Sequence, residues 1–115
     1  MTVTIYHNPR CSKSRQTLEL LRAKGIEPEI VEYLSSPPSK SKLKQILKLL
    51  GMSPRDLMRT KEAEYKANGL DDDSLKTDQL VAAMRAHPKL IERPIVLANG
   101  KAALGRPPEQ VLEIL

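Results

Sequence analysis

No tryptophan and no phenylalanine occur in these 115 residues, and the aromatic side chains are three tyrosines. Single-stranded nucleic acid is gripped by aromatic side chains interleaved with basic ones. A nucleic-acid partner is therefore not expected, although the formal charge is +5. One cysteine rules out an internal disulfide framework. With two histidines there is no clustered metal-ligand spacing, so neither a metal nor a bound cofactor is expected. No apolar run approaches the roughly 20 residues that a membrane-spanning helix needs, and no membrane partner is expected. The N-terminus runs directly into strand-like alternation, without a basic leader, apolar stretch and cleavage site. No secretory signal is expected, and the cytoplasm is the expected compartment.

What is present suits one globular domain, expected as a monomer: 29% charged and 40% hydrophobic residues over a length that can bury a single core. The basic balance favours an anionic partner, such as a small oxyanion. The densest lysines, Lys40, Lys42, Lys44 and Lys48, read as the solvated face of a helix.

Residues 2–6 read as a strand, Ser12 to Lys24 as a helix stopped by Gly25, and Glu29 to Tyr33 as a second strand, a β-α-β opening with a parallel pair. Ser39 is a candidate N-cap for a helix with Leu43, Ile46, Leu47 and Leu50 at i, i+3, i+4, i+7, ended by Gly51. Ser53-Pro54 starts a short helix through Arg59, Thr60 caps another through Ala67, and Thr77 caps a further one ending before Pro88. Pro94 to Ala98, Asn99-Gly100 and Lys101 to Leu104 form a hairpin with a type I′ turn, and Pro107-Pro108 opens a last helix. The expected fold class is α/β: the thioredoxin-like mixed-sheet order, β-α-β … β-β-α, with an inserted helical segment.

Cys11 falls between the first strand and the first helix, in His7-Asn8-Pro9-Arg10-Cys11-Ser12-Lys13-Ser14-Arg15. A helix N-terminus offers unsatisfied N–H groups and the positive end of the macrodipole, which favour thiolate over thiol. A fall in pKa from about 8.5 to about 6.5 would raise the thiolate fraction at pH 7 from roughly 3% to roughly 75%. Arg10, Lys13, Arg15 and a protonated His7 are all near enough in sequence to contribute. Free cysteine is often simply buried, but Pro-Arg and Ser-Lys-Ser are poor core neighbours. The spacing is C-x-x-S, since Ser14 stands where a dithiol would have its second sulfur. An outside thiol must therefore resolve any oxidised Cys11.

IYHNPRCSKSR at 5–15, LMRTKEAEY around Arg59, IERPIV at 91–96 and GRPPEQVLEIL at 105–115 together carry a resemblance. The chain resembles the glutaredoxin-dependent arsenate reductase family, especially the short members that end just after the last helix. The resemblance implies a single domain over 1–115, with a thioredoxin-like core at about 1–34 and 91–115 and a helical insertion at about 39–88. It implies that Cys11 attacks arsenate, that Arg93 and Arg106 hold its equatorial oxygens, and that Arg59 stabilises the adduct. His7, Ser14 and Arg15 would support the lowered thiol pKa. Glutathione and glutaredoxin would be the co-substrates, and arsenate or a related oxyanion the substrate. Bidentate guanidinium groups suit a tetrahedral anion.

On residues alone Arg59 reads as surface, while Arg93 and Arg106 each precede a proline and so sit on loop-like backbone. Thioredoxin-like folds carry a cis-proline before the third strand, so the Arg93–Pro94 bond is expected to be cis. Tyr65 and His87 read as packing residues. Two alternatives stay open: a thiol reductase for another oxidised substrate, and an Spx-type regulator that binds RNA polymerase. Regulators that switch by oxidation typically carry C-x-x-C.

Overall fold

A computed structural model of the chain describes residues 2–115. They fall into two compact units, one made of residues up to 36 together with 93–115, the other of residues 37–92.

The first unit holds β1 (Thr4–Tyr6), α1 (Ser12–Ala23), β2 (Glu29–Val31), β3 (Ile95–Ala98), β4 (Lys101–Leu104) and a 3₁₀ segment, Pro108–Ile114. The strands form one mixed sheet in the order β2-β1-β3-β4. β1 runs parallel to β2, with Ile5 opposite Ile30, and antiparallel to β3, with Ile5 opposite Val96. That arrangement, with α1 crossing between parallel strands, is a thioredoxin-like sheet. Val3 and Ile5 of the first strand region, Leu18 and Leu21 of α1, and Val96 of β3 share one core. Burying a leucine such as Leu21 stabilises the fold by about 1.5–3 kcal/mol relative to leaving it in water.

Punctuation is local and chemical. Gly25 adopts φ +77°, and the N–H groups of Gly25 and Ile26 donate to the Arg22 and Leu21 carbonyls at 2.9 and 3.0 Å, closing α1 with a Schellman motif. Asn99 and Gly100 have φ +55° and +71°, as a type I′ turn between β3 and β4 demands. The closing segment is 3₁₀ throughout rather than an α-helix. It is short, and its entrance prolines give no N–H to an α-helical first turn.

The second unit holds α2 (Lys40–Leu50), a 3₁₀ turn (Pro54–Leu57), α3 (Ala63–Ala67), α4 (Thr77–Ala86) and a 3₁₀ turn at Pro88–Leu90. Ser39 Oγ accepts from the Lys42 N–H at 3.1 Å, a cap that contributes about 1 kcal/mol. Leu43, Ile46 and Leu47 of α2 are buried, and α2 packs against α4.

The helix expected to run through Arg59 stops at Leu57, because Met58 pairs antiparallel with Ile91. The Arg59 N–H donates to the Leu90 carbonyl at 2.7 Å and the Glu92 N–H to the Leu57 carbonyl at 2.8 Å. A long-range backbone clip has overridden local helix propensity. The next helix begins at Ala63 rather than after Thr60, and Thr77 is the first helical residue rather than the cap. At the cap position, the Lys76 N–H donates to Gln79 Oε1 at 2.8 Å. Among the described residues no helix is long and apolar enough to cross a membrane.

Candidate active site

Cys11 occupies the N-cap position of α1 on extended backbone (φ −93°, ψ 123°). Its carbonyl accepts the Arg15 N–H at 3.0 Å, and its own N–H donates to the Asn8 carbonyl at 3.0 Å. Asn8 shapes the approach: its Oδ1 accepts from the Arg10 N–H at 3.0 Å, an Asx turn that lifts the chain out of β1 and into the helix. Beneath the loop lies Ser14, fully buried. Its Oγ accepts from the Asn8 N–H at 3.0 Å and is joined to His7 Nδ1 at 2.6 Å. One hydroxyl thus ties the end of β1 to the first turn of α1 and fixes the turn whose N–H groups meet the sulfur.

Burial pushes the Cys11 thiol pKa up, but the Ser14 N–H, the Arg93 guanidinium and the Lys13 N–H outweigh it. The net result is a pKa below the ordinary thiol value. Lys13 and Ser14 are the second and third residues of the helix, whose N–H groups have no intrahelical partner and accept an anion readily.

Arg106 completes the setting: its Nη2 donates to Cys11 Sγ at 3.6 Å, and its Nε to the Arg93 carbonyl at 2.7 Å. Gly105 makes this approach feasible. Its N–H donates to the Pro94 carbonyl at 2.9 Å, and a Cβ there would collide with Thr17 Oγ1 and lie 2.7 Å from Pro94 Cγ. The Arg93–Pro94 bond is cis, as expected, and so is Arg106–Pro107, for which the sequence held no signal.

Of the residues singled out in the sequence, Cys11, His7, Ser14, Arg15, Arg93, Pro94 and Arg106 all belong to the first unit, and Arg59 to the second. The guanidinium groups that meet the sulfur, Arg93 and Arg106, are both distant from it in sequence. Arg15 Nη1 donates to the Pro9 carbonyl at 2.9 Å. Burial holds the His7 pKa below its ordinary value; Glu32 works to raise it, while Arg22 and Arg15 lower it. His7 is therefore neutral at pH 7, and its hydrogen bond is to Ser14 rather than to the thiol.

Arg59 has its own setting. Its Nη1 donates to Glu92 Oε1 at 2.9 Å and its Nε to Glu62 Oε1 at 3.3 Å. Glu62 lies three residues on in sequence and Glu92 33 residues away. Among the described residues no group of three or more His, Cys, Asp or Glu is placed to hold a metal ion.

A thiol stabilised as thiolate beside two guanidinium groups can attack an electrophilic centre that bears anionic oxygens. Comparison with known proteins agrees in kind. The ArsC family model matches residues 6–114. The uncharacterized protein YfgD of Escherichia coli strain K12 is 60% identical over 98% of this chain and 96% of its own. An arsenate reductase of Neisseria meningitidis serogroup B is 54% identical, over 98% of this chain and 97% of its own. The solved arsenate reductase of Vibrio cholerae superposes with a TM-score of 0.97 at 57% identity, covering 100% of this chain and 98% of that one. With a match over almost the entire length and relatives above half identity, the chain belongs to the ArsC family.

Proposed function

We propose that this protein is an arsenate reductase in which Cys11 is the nucleophile. The observation that carries the reading is the sulfur at the N-terminus of α1 with Arg106 Nη2 at 3.6 Å, in a family whose relatives include arsenate reductases. Arsenate enters as a tetrahedral anion. Arg93 and Arg106 take its oxygens through charge-assisted hydrogen bonds and offset the repulsion between substrate and thiolate. The Cys11 sulfur forms an S–As bond while one As–O bond breaks, and the oxygen leaves as water after protonation.

Reduction needs two electrons and a second thiol. Glutathione, as thiolate, attacks the Cys11 sulfur; an S–S bond forms, and the S–As pair stays on arsenic. Arsenic passes from As(V) to As(III) and leaves as arsenite, each sulfur having given up one electron. A glutaredoxin thiol then takes the glutathionyl group and frees the Cys11 thiolate. Arg59 steadies the adduct while it is reduced.

The test is arsenate-dependent NADPH oxidation coupled through glutathione, glutaredoxin and glutathione reductase, run on the wild type and on Cys11→Ser and Arg93→Ala. Turnover that requires Cys11, glutathione and glutaredoxin supports the reading. Turnover that survives Cys11→Ser overturns the mechanism. Retention of RNA polymerase subunits on the immobilised protein, without arsenate-dependent turnover, would favour a regulator.

A further inference from the structure

β1 and β2 run parallel, so the chain leaves both at the same end of the sheet. Open α/β sheets bind ligands in the crevice outside those carboxyl ends. The His7 N–H donates to the Val31 carbonyl at 2.8 Å, which sets the two exit segments side by side. Between them lies a cleft of about 320 Å³, with residues 7–10 on one wall and Glu32, Leu34 and Ser35 on the other. That volume is at the small end of ligand pockets, roughly 300–1,000 Å³. The oxyanion chemistry at Cys11 leaves this cleft unused.

The walls carry opposite charges that are not spent on each other. Arg10 and Glu32 both line the cleft, and among the described residues neither side chain has a hydrogen-bond or ion-pair partner. Asn8 is only 8% exposed, and its Oδ1 is taken by the Arg10 N–H. Its Nδ2 has no partner among the described residues. Two N–H donors set this deep favour a ligand that brings an acceptor. Leu34, 40% exposed, adds apolar surface. Glu32 is held at its backbone, since its carbonyl accepts the Ser35 and Ser36 N–H groups at 3.0 Å each. A cation, an anion, an amide donor and an apolar patch together match a small zwitterion with a methylene chain.

Position says which zwitterion. Arg10 immediately precedes Cys11, and adjacent α-carbons are about 3.8 Å apart. A ligand anchored here meets the sulfur with a group about one residue from its charged end. We propose that the cleft holds the γ-glutamyl end of glutathione, with Glu32 meeting its ammonium group and Arg10 and Asn8 Nδ2 its α-carboxylate, and so delivers the thiol to Cys11. In glutathione the thiol is carried by the residue next to that end. The inference rests on the reading that glutathione reduces the Cys11 adduct. In the step it serves, the glutathione thiolate forms an S–S bond to Cys11 as the S–As bond breaks, and that electron pair stays on arsenic.

The test needs no arsenate. Cys11, the single cysteine, is converted to its mixed disulfide with thionitrobenzoate, and release of that chromophore by an added thiol is timed. The thiolate attacks the Cys11 sulfur, an S–S bond forms, and thionitrobenzoate leaves with the electron pair. The added thiols are glutathione, γ-glutamylcysteine, and N-acetylcysteinylglycine, in which an acetyl group replaces the γ-glutamyl end. Each rate is divided by that thiol's rate with the free symmetrical disulfide of thionitrobenzoate, which removes differences in nucleophilicity. Both γ-glutamyl thiols should then react at least about tenfold faster than N-acetylcysteinylglycine.

Glu32→Gln should lower the glutathione rate about threefold to tenfold and leave that of N-acetylcysteinylglycine within about twofold. Simple charge attraction gives the opposite sign, because glutathione is anionic and the variant loses a negative charge. Arg10→Ala should lower the glutathione rate in the same selective way. Both side chains are exposed, so neither change disturbs the core. A γ-glutamyl thiol no faster than N-acetylcysteinylglycine overturns the inference, as does a glutathione rate unchanged or raised in Glu32→Gln, or a fall shared by all three thiols. Selective exchange without arsenate turnover in the coupled assay removes arsenate as substrate and leaves the cleft its role. Arsenate turnover without selective exchange does the opposite.

Discussion

Arg106 donates its Nε to the neutral carbonyl of Arg93 and its Nη2 to the Cys11 sulfur, whereas Arg59 donates through Nε and Nη1 to the carboxylates of Glu62 and Glu92. A carbonyl fixes the direction of a guanidinium and leaves its charge intact. A carboxylate fixes direction and removes charge. The first guanidinium is turned onto the sulfur; the second is held by two carboxylates. One residue type thus stands in two local settings, and its neighbours define each.

The largest expected effect falls on the atom that the contrast is built around. Cys11→Ser should abolish arsenate turnover, by at least about a thousandfold in the coupled assay; substantial residual activity would mean that the arginines serve some other atom. Next come the arginines themselves. Arg106→Ala should cost about 10²- to 10³-fold in kcat/KM, the range for losing one preorganised donor to developing charge. Arg59→Ala should instead lower kcat by about tenfold with KM within about threefold, because its charge is already offset. Equal KM effects at both positions would erase the distinction.

Gly105→Ala tests the packing that brings Arg106 to the sulfur. Overpacking against Thr17 and Pro94 should destabilise the fold by about 1–3 kcal/mol, read from denaturant unfolding.

The smallest effect is titrimetric. The rate of Cys11 alkylation against pH should have its midpoint below that of an ordinary thiol, and Arg93→Ala should move it up, since Arg93 helps to lower the thiol pKa. The sign for stability follows from linkage. The folded-state pKa is the lower one, so above it the folded protein has lost a proton that the unfolded chain still holds. Relative to Cys11→Ser, the wild type should therefore gain stability as pH rises from the folded pKa towards the unfolded value of about 8.5. That gain is full above the unfolded value and is lost as pH falls through the folded one. Paired thermal melts over about pH 5 to 9 would read it.

Much of the fold was legible because its signals are local. Ser39 and Gly51 bracket α2, Gly25 stops α1, and Asn99-Gly100 turns the hairpin, each through chemistry confined to a few residues. The misread stretch was 58–63, where pairing of Met58 with Ile91 overrides a helix-like local pattern. No window of neighbouring residues contains that information.

The site divides in the same way. Cys11 could be singled out from its place between a strand and a helix. Which cation faces it could not, because Arg106 lies 95 residues away in sequence while Arg15, four residues on, turns to the Pro9 carbonyl. The resemblance, not the local pattern, pointed to Arg93 and Arg106. The collision that a side chain at Gly105 would cause with Thr17 and Pro94 appears only in three dimensions.

Ser14 carries a consequence for how this chain can change. Its Oγ lies 2.6 Å from His7 Nδ1 and 3.0 Å from the Asn8 nitrogen, in a site closed to solvent. Those are oxygen distances, and sulfur is larger and a weaker hydrogen-bonding atom. Ser14→Cys would complete the C-x-x-C spacing, yet it would also push apart the floor on which the Cys11 loop rests. Ancestry through a single substitution is therefore an awkward route between the monothiol and dithiol forms. His7 or Asn8 would have to give way first, so the packing as well as the cysteine count holds this chain to the C-x-x-S spacing.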